Sequence, residues 1–379
     1  MKIKLDALKK AVQDTSVVAG QMNVSMAAVS GSDQIALSAA NGAFAVFSYI
    51  DGVNWEDENG VKPMSIEVNA NLLRSSLSHF SGTHISIKKT PKVLCLSSED
   101  EAANATLRLP FADNGIPESI GDCSDEKYAC EVVVKHLTSY ISRTAHALSS
   151  LSSNGGDAKR SSFYLETDGK NICVTATDGY RISMRSGAVG KIKRSFILPG
   201  AEMKSILPMI DDDGTVFRIP AGDQRHLQIK TGNVIILMPV IDGIYYNVKN
   251  VIDNIENDIK TTVTVDRLQL ISSCEMGGLI DSKVIFSIKP EAVSISAAGQ
   301  LGETIRTLPA SVKPNVSLQV AFSDKFMIDA LKSVTTQMVD IRISGANGIC
   351  EVLPHNTKNM SGRTVEIVLP VSTKRSHAS

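Results

Sequence analysis

The chain lacks the features that mark several classes of protein. Aromatic residues make up 5% of its 379 residues, with a single tryptophan, which argues against a surface built mainly of base-stacking platforms. Neither sign of charge predominates, since 39 lysines and arginines stand against 40 aspartates and glutamates. The longest apolar run, residues 234–241, is far too short to span a bilayer, and no apolar stretch follows the N-terminal lysines as in a signal peptide. With 43% hydrophobic residues, the composition predicts a globular cytoplasmic protein.

Motifs for common chemistry are also missing. The sequence has no P-loop, GxGxxG, GxSxG, HExxH or CxxC motif. Its six scattered cysteines indicate reduced, mostly buried thiols. For His136 and His146 we favour a solvated or DNA-facing role over a metal site. The acidic run 211–213 precedes a glycine and is typical of a helix end and turn. The sequence therefore predicts no catalytic residue, no metal and no cofactor.

A sixfold repeat is the most informative feature present. Six times, a short alternating apolar run is followed at once by a segment with helical periodicity. The predicted helices start about 57–66 residues apart, near these residues: Asp6, Asn69, Lys135, Gly200, Asp266 and Ser323. Alternating runs such as HISIKK and KVLCLSS predict antiparallel strands between the helices.

This pattern predicts an α+β fold in which helices are confined to one face of antiparallel sheets. Two repeats per domain give three similar domains, which we place at residues 1–125, 126–256 and 257–379. The polar stretches 121–129 and 250–260 are the predicted links between them.

The predicted helix bodies are net basic in a neutral protein. Such helices could face a phosphate backbone without reading its sequence, although a solvated polar face explains the charge equally well. The basic residues concerned are Lys9, Lys10, Arg74, Lys135, Arg143, Lys204, Arg267, Lys325 and Lys332.

The dipeptide Asp178-Gly179 lies between two alternating apolar runs. Asp-Gly supplies a positive φ at little cost, so a hairpin turn is the local interpretation.

At this point the sequence resembles a known family, the bacterial sliding clamp, which is the beta subunit of DNA polymerase III. The resemblance rests on these segments: FYLETDGKNICVTATDGYRIS, SFILPGAEMKSILPMIDD, GNVIILMPVIDGIYYNVKNVI, LQVAFSDKFMIDALKSV and the terminal VEIVLPV. It implies a head-to-tail homodimeric ring, joined domain I to domain III, whose helices surround duplex DNA without sequence specificity. The ring would tether the replicative polymerase and would catalyse no chemistry itself.

The resemblance also implies a cleft between the second and third domains that binds short peptide motifs of the polymerase and of clamp loader subunits. Carried over by position, the cleft residues are Thr177, Gly179, Tyr180, Arg181, Ile182, Tyr246, Asn250, Val251, Ile367, Val368, Leu369, Pro370 and Val371.

The chain departs from the family pattern at several cleft positions. Proline is usual where Tyr246 stands, arginine where Asn250 stands, and a leucine near Arg160. These departures bear on which partners bind, so a clamp-fold scaffold that does not serve the main replicative polymerase is the alternative. A small-molecule enzyme on repeated α+β units is a further alternative, but it would need a metal or perturbed acids in a pocket.

Overall fold

A computed structural model describes the chain over most of its length. The described residues are 2–19, 23–29, 32–42, 44–51, 65–98, 105–112, 128–150, 157–168, 171–188, 193–220, 225–344, 348–356 and 362–372. Among them, no helix is long and apolar enough to cross a membrane.

Seven α-helices form within these residues. They are α1 (Leu5–Ala19), α2 (Ala70–Leu77), α3 (Leu137–Thr144), α4 (Gly200–Ile206), α5 (Val248–Asp258), α6 (Arg267–Gly278) and α7 (Asp324–Ser333).

The same residues form twenty-five β-strands, most of them in runs between the helices. They are β1 (Lys2–Lys4), β2 (Asn23–Ala28), β3 (Ile35–Ala40), β4 (Ala45–Ile50), β5 (Ser65–Asn69), β6 (His84–Lys89), β7 (Val93–Ser98), β8 (Thr106–Pro110), β9 (Tyr128–Val134), β10 (Ser162–Asp168), β11 (Asn171–Thr177), β12 (Arg181–Ala188), β13 (Lys193–Pro199), β14 (Thr215–Pro220), β15 (His226–Thr231), β16 (Val234–Pro239), β17 (Thr261–Asp266), β18 (Lys283–Lys289), β19 (Ala292–Gly299), β20 (Gly302–Pro309), β21 (Ser311–Lys313), β22 (Leu318–Ser323), β23 (Met338–Ile343), β24 (Cys350–Pro354) and β25 (Thr364–Val368).

The sixfold repeat is confirmed, because six helices each follow directly on a short strand: α1, α2, α3, α4, α6 and α7. Side-chain caps explain two of the helix starts. The side chains of Asn69 and Asp266 accept the backbone N–H groups of Leu72 and Gln269 at 2.9 Å, which satisfies donors that have no partner within the helix. The first and third helices begin at Leu5 and Leu137 rather than at the predicted Asp6 and Lys135.

The helix α5 lies outside the repeat, and the sequence reasoning missed it. Its residues were predicted as a polar link at 250–260. Instead, Asn247 caps the helix through the Asn250 N–H, and Val248, Ile252 and Ile255 form a buried stripe. The other predicted link, 121–129, lies almost entirely outside the described residues.

The contacts divide the chain into two compact units. Unit 1 consists of Met1–Leu137 and Glu202–Val240, and unit 2 consists of Thr138–Ala201 and Ile241–Ser379.

Unit 1 contains one large and one small antiparallel sheet. The large sheet has eight strands in the order β5-β2-β3-β4-β16-β15-β14-β9, and the small sheet has four in the order β1-β6-β7-β8. Helix α1 packs against β3 and β4, where Leu8 and Val12 are buried.

Unit 2 repeats this composition. Its large sheet has nine strands in the order β13-β10-β11-β12-β25-β24-β23-β17-β21, and its small sheet has four in the order β20-β19-β18-β22. One buried cluster joins α6 and α7 to both sheets through side chains such as Ile271, Met327, Phe286 and Val339. A second cluster packs α5 on β12, β13 and β25. The predicted α+β class, with antiparallel sheets, is confirmed.

Candidate functional site

The turn between β11 and β12 has the predicted hairpin conformation. Gly179 has a φ of +93°, which favours glycine over other residues. The Asp178 carboxylate accepts the N–H groups of Tyr180 and Arg181 at 2.9 and 3.1 Å, and the Thr177 hydroxyl accepts that of Gly179 at 3.1 Å. This local network holds the Tyr180 ring at the surface, where it is 62% exposed.

Strand β12 pairs with β25, and this pairing brings two distant predicted segments together. Arg181 is opposite Val368 and Ile182 is opposite Ile367. Beyond the end of β25, the Leu369 N–H donates to the Tyr180 carbonyl at 3.0 Å and the Val371 N–H to the Ala321 carbonyl at 2.8 Å. The C-terminal segment is therefore fixed along the hairpin.

The predicted cleft residues on these strands divide between the two faces of the nine-stranded sheet, because side chains alternate along a strand. Ile182 and Ile367 pack with Tyr246 in the cluster beneath α5. Val368 is fully buried in the core beneath α6 and α7. Val368 and Arg181 thus lie on the helix side of the sheet.

Arg181 is a nearly buried cation with a complete set of partners. Its Nε donates to Asp178 Oδ2 at 3.1 Å, and its Nη1 donates to Asp329 Oδ2 of α7 at 2.7 Å. The guanidinium lies 4.3 Å from the centre of the Phe326 ring, which also packs against Tyr180. Two carboxylates and an aromatic face offset the cost of burying this charge, so Arg181 ties the hairpin to α7.

The opposite face of the sheet carries three tyrosines. We call Asp157, Arg160 and the Tyr246 hydroxyl beside them the polar rim. The rings of Tyr164 and Tyr245 stack with centroids 4.7 Å apart, and the Tyr246 ring meets Tyr245 edge-on. The Tyr246 hydroxyl donates to Asp157 Oδ2 at 2.5 Å, and the nearby positive charge of Arg160 acts to lower the pKa of Tyr246. Tyr246 and Arg160, two of the three departures from the family pattern, therefore influence each other electrostatically.

Within the polar rim, the pKa of Asp157 is lowered and the pKa of Tyr246 is raised. The hydrogen bond from Tyr246 is the main reason that the pKa of Asp157 lies below its ordinary value. Partial burial, followed by the bond to Asp157, raises the pKa of Tyr246. At neutral pH the rim therefore holds a carboxylate and a neutral phenol.

Exposure shows which predicted residues could reach a ligand. Gly179, Tyr180, Asn250 and Val251 are exposed. Half-buried are Ile182, Tyr246, Leu369, Pro370 and Val371, whereas Thr177, Arg181, Ile367 and Val368 are buried. The structure thus brings all thirteen residues into unit 2, with a surface formed by the hairpin, the start of α5 and the C-terminal segment.

Sequence reasoning missed a buried polar cluster centred on Glu366 of β25. This carboxylate meets Arg185 Nη2 at 2.6 Å, the hydroxyls of Ser183 and Ser333 at 2.7 Å, and His146 Nε2 at 3.1 Å. The expectation of a solvated or DNA-facing His146 is therefore wrong. The alternation of VEIVLPV, which places a glutamate on a buried face, was the available signal.

The nine predicted DNA-facing cations differ in whether another group of the protein already binds them. Five have partners within the protein: Lys9 on the Phe80 carbonyl, Lys10 on Asp14, Arg143 on the Ser333 carbonyl, Arg267 on the Thr336 carbonyl and Lys332 on Glu275. The other four, Arg74, Lys135, Lys204 and Lys325, are exposed and make no hydrogen bond or ion pair within the described residues.

Other predicted features can be placed as well. The acidic run forms a turn, in which the Asp213 N–H donates to Asp211 Oδ1 at 3.1 Å. Of the four cysteines whose surroundings are described, Cys274 and Cys350 are buried, and Cys95 and Cys173 are half-buried. Within the described ranges, no three histidine, cysteine or carboxylate side chains are grouped as metal ligands.

Comparison with known proteins agrees with this geometry. The family described as DNA polymerase III beta subunit, central domain, matches residues 132–247. The beta sliding clamp of Bacillus subtilis is 23% identical over 259 residues, and that of Staphylococcus aureus is 25% identical over 261 residues. These alignments cover 66% and 65% of this chain and 66% and 64% of the two relatives, so they span slightly less than two thirds of the relatives' length.

The fold extends the similarity to almost the whole chain. The DNA polymerase sliding clamp of Pseudomonas aeruginosa superposes with a TM-score of 0.81 at 17% identity, covering 98% of this chain and 99% of the other. That of Bacillus subtilis gives the same TM-score and coverage at 18% identity. In sequence over about two thirds of its length, and in fold over almost all of it, this chain is therefore similar to bacterial beta sliding clamps.

Proposed function

We propose that this chain is a DNA sliding clamp, a ring of two protomers that encircles duplex DNA and tethers the replicative polymerase for processive synthesis. The observation that carries the proposal is the match of 98% of the chain to sliding-clamp structures at a TM-score of 0.81. Such a protein acts through topology and catalyses nothing, and it works in the bacterial cytoplasm, where the DNA is.

The edges of the two small sheets support a head-to-tail dimer. Strand β8 ends one four-stranded sheet and β20 ends the other, and among the described strands neither has a second neighbour. Pairing β8 of one protomer with β20 of the next would give an eight-stranded sheet and would remove two exposed edges. Leu279, which follows α6 where that helix packs on β19 and β20, is 75% exposed and offers apolar area beside this edge. In terms of the three proposed domains, the contact joins domain I to domain III.

DNA contact is proposed to come from the six repeat helices. The cations without internal partners, Arg74, Lys135, Lys204 and Lys325, are the ones best able to meet phosphates. Contacts to phosphates carry no sequence information, and weak ones allow sliding.

Partner recruitment is proposed for the surface formed by the hairpin and the C-terminal segment. Tyr180 and Val251 present exposed apolar area, and Leu369 and Val371 add half-buried area beside them. An extended peptide motif of a polymerase or clamp loader subunit, with apolar residues, suits such a surface. The bond between Tyr246 and Asp157 closes part of this rim, which favours a partner motif adapted to this chain.

The test is retention on DNA circles. The full-length protein is loaded with its clamp loader onto nicked circular DNA, and the protein that stays bound is measured before and after the DNA is linearised. A sliding clamp stays on circles and is lost from linear DNA, in high salt as well. Protein that never stays on circles in the presence of an active loader contradicts the proposal and favours a clamp-fold scaffold.

A further inference from the structure

On one face of the small sheet of unit 1, all the charged side chains of the described strands are basic. Residues alternate between its two faces, and one face buries Ile85, Ile87, Leu94 and Leu96. The charged residues of the other face are all basic: Lys2, Lys4, His84, Lys88 and Arg108. No acidic side chain belongs to this face within the described strands, although the protein as a whole has a net charge of −1.

The register places these cations in a continuous band. Lys88 is opposite Cys95, and Cys95 is opposite Arg108, so the two cations lie two strand spacings apart, about 10 Å. Lys4 is opposite His84, two residues along the sheet from the row that contains Ser86 and Ser97. Lys92 adds a further cation at the turn between β6 and β7.

Most of these cations are available to a ligand. Lys4, Lys88, Lys92 and Arg108 are exposed, and within the described residues they make no hydrogen bond or ion pair. Between them lie the hydroxyls of Ser86, Ser97 and Thr106, which form one row across three strands. Lysine, arginine and hydroxyl side chains are the groups that contact phosphate oxygens in protein–DNA interfaces.

The small sheet of unit 2 shows that the fold does not require this charge. Its corresponding face carries Ile285, Ile305 and Glu303, with lysines at the two ends of β18, Lys283 and Lys289. Two antiparallel sheets of four strands each thus differ in charge, and only that of unit 1 is uniformly basic within its described strands.

We infer that the basic face of β1, β6, β7 and β8 is a second nucleic-acid surface, which binds the phosphate backbone of a DNA strand without reading its sequence. It is separate from the repeat helices to which DNA contact was assigned above. A protein partner fits less well, because none of the exposed large apolar side chains among the described residues lies on this face, and such anchors dominate protein interfaces. DNA carries one charge every ~3.4 Å along each strand, a density that flexible lysine and arginine side chains can follow.

The first test measures DNA binding in the absence of a clamp loader. The full-length protein is titrated with a short duplex closed by hairpins at both ends, and separately with a short single strand, over a range of salt concentrations. The double variant K4Q/K88Q, whose residues lie on β1 and β6 and not on the proposed dimer edge β8, is compared with the matched control K283Q/K289Q on the other small sheet. We expect only K4Q/K88Q to weaken binding, and to lower the slope of log K against log salt by about 0.7 per cation on single strands or about 0.9 on duplex.

The second test uses a native probe, because Cys95 lies between Lys88 and Arg108 in the middle of the face. Its alkylation is followed by mass spectrometry with and without DNA, with the half-buried Cys173 of unit 2 as internal reference. DNA should slow the alkylation of Cys95 and leave that of Cys173 unchanged.

Three results would overturn the inference: equal DNA binding by the two double variants, unprotected Cys95 at saturating DNA, or tighter binding of polyglutamate than of DNA. The larger of the single-strand and duplex effects identifies which form the face binds. Retention on circles is measured separately. The K4Q/K88Q variant should still be retained on circles, because neither residue lies on β8, so failure of this inference is distinguishable from failure of the clamp proposal.

Discussion

Single residues in this protein show how a buried charge is made tolerable. Arg181 and Glu366 are almost completely buried, and each is surrounded by opposite charges and hydrogen-bonding groups. An unpaired ion in such a place would cost several kcal/mol, so these residues bind together the elements that supply their partners. Both lie on the helix side of the strands that lead to the candidate cleft, and we regard them as its structural support.

The desolvation cost of burying Asp14 is offset less completely than that of Arg181 or Glu366. It is buried between α1 and β4, and its partners are distant: Lys10 Nζ at 3.6 Å and the Ser48 hydroxyl at 3.5 Å. Desolvation outweighs them and raises the pKa of Asp14. A carboxyl whose pKa is raised on folding binds its proton more tightly in the folded state, so it lowers stability as the pH rises through its folded-state pKa.

Asn in place of Asp14 should therefore stabilise unit 1 at neutral pH. We expect D14N to raise the thermal unfolding midpoint by roughly 2–4 °C at pH 7. The gain should disappear below the ordinary aspartate pKa of 3.8, where Asp14 is protonated in both states. Calorimetry of both proteins across this pH range checks the prediction. A gain that does not change with pH would show that burial of the charge is not its cause.

At the scale of elements, the junction of β12 and β25 depends on one glycine. Gly362 has a φ of +109°, and a Cβ built on it would lie 1.9 Å from the Ser186 carbonyl oxygen. Beside it, the Ser186 N–H donates to the Arg363 carbonyl at 2.9 Å. Any side chain at Gly362 would separate the two strands where they begin to pair.

We expect Gly362→Ala to destabilise unit 2 by more than about 2 kcal/mol, because backbone strain and a steric clash add together. The control is Gly302→Ala in the same unit, where φ is +131° but no atom lies within 4 Å of the added Cβ. That variant meets only the backbone strain, on the order of 1 kcal/mol. Urea unfolding of both variants gives the comparison, and equal losses would contradict the assigned clash.

At the scale of the whole molecule, the proposed dimer predicts that a charge placed at one exposed leucine should prevent dimerisation. Leu279 directly follows α6, which packs on the edge strand β20, and Leu268, at the other end of α6, is also exposed, at 61%. A buried aspartate at an apolar interface is strongly unfavourable, and an exposed one costs almost nothing.

Leu279→Asp should therefore give a monomer in light scattering with the thermal stability of the protomer intact, and Leu268→Asp should leave the dimer unchanged. The monomeric variant should also lose retention on circular DNA. A dimer that survives Leu279→Asp would place the interface elsewhere.

The sequence by itself determined the parts of this protein that depend on neighbouring residues. Helical and alternating periodicities, capping side chains and the Asp178-Gly179 turn act over a few residues, so the six strand–helix repeats and the α+β class were predictable. Helix α5 was not predicted, because its polar residues gave no strong signal and its stability comes from Ile252 and Ile255 packing on a distant sheet. The similarity to sliding clamps also lay in the sequence, through segments that keep their order.

Only the tertiary structure decided how these parts are used. Register between strands far apart in sequence placed Val368 in the core and Ile367 beneath α5, and it brought His146 to Glu366. Folding also gave five of the nine predicted cations internal partners, and it aligned the basic residues of β1, β6, β7 and β8 on one face. The sequence shows the charge and polarity of each residue. Whether that side chain can still bind a ligand depends on its neighbours in the folded chain.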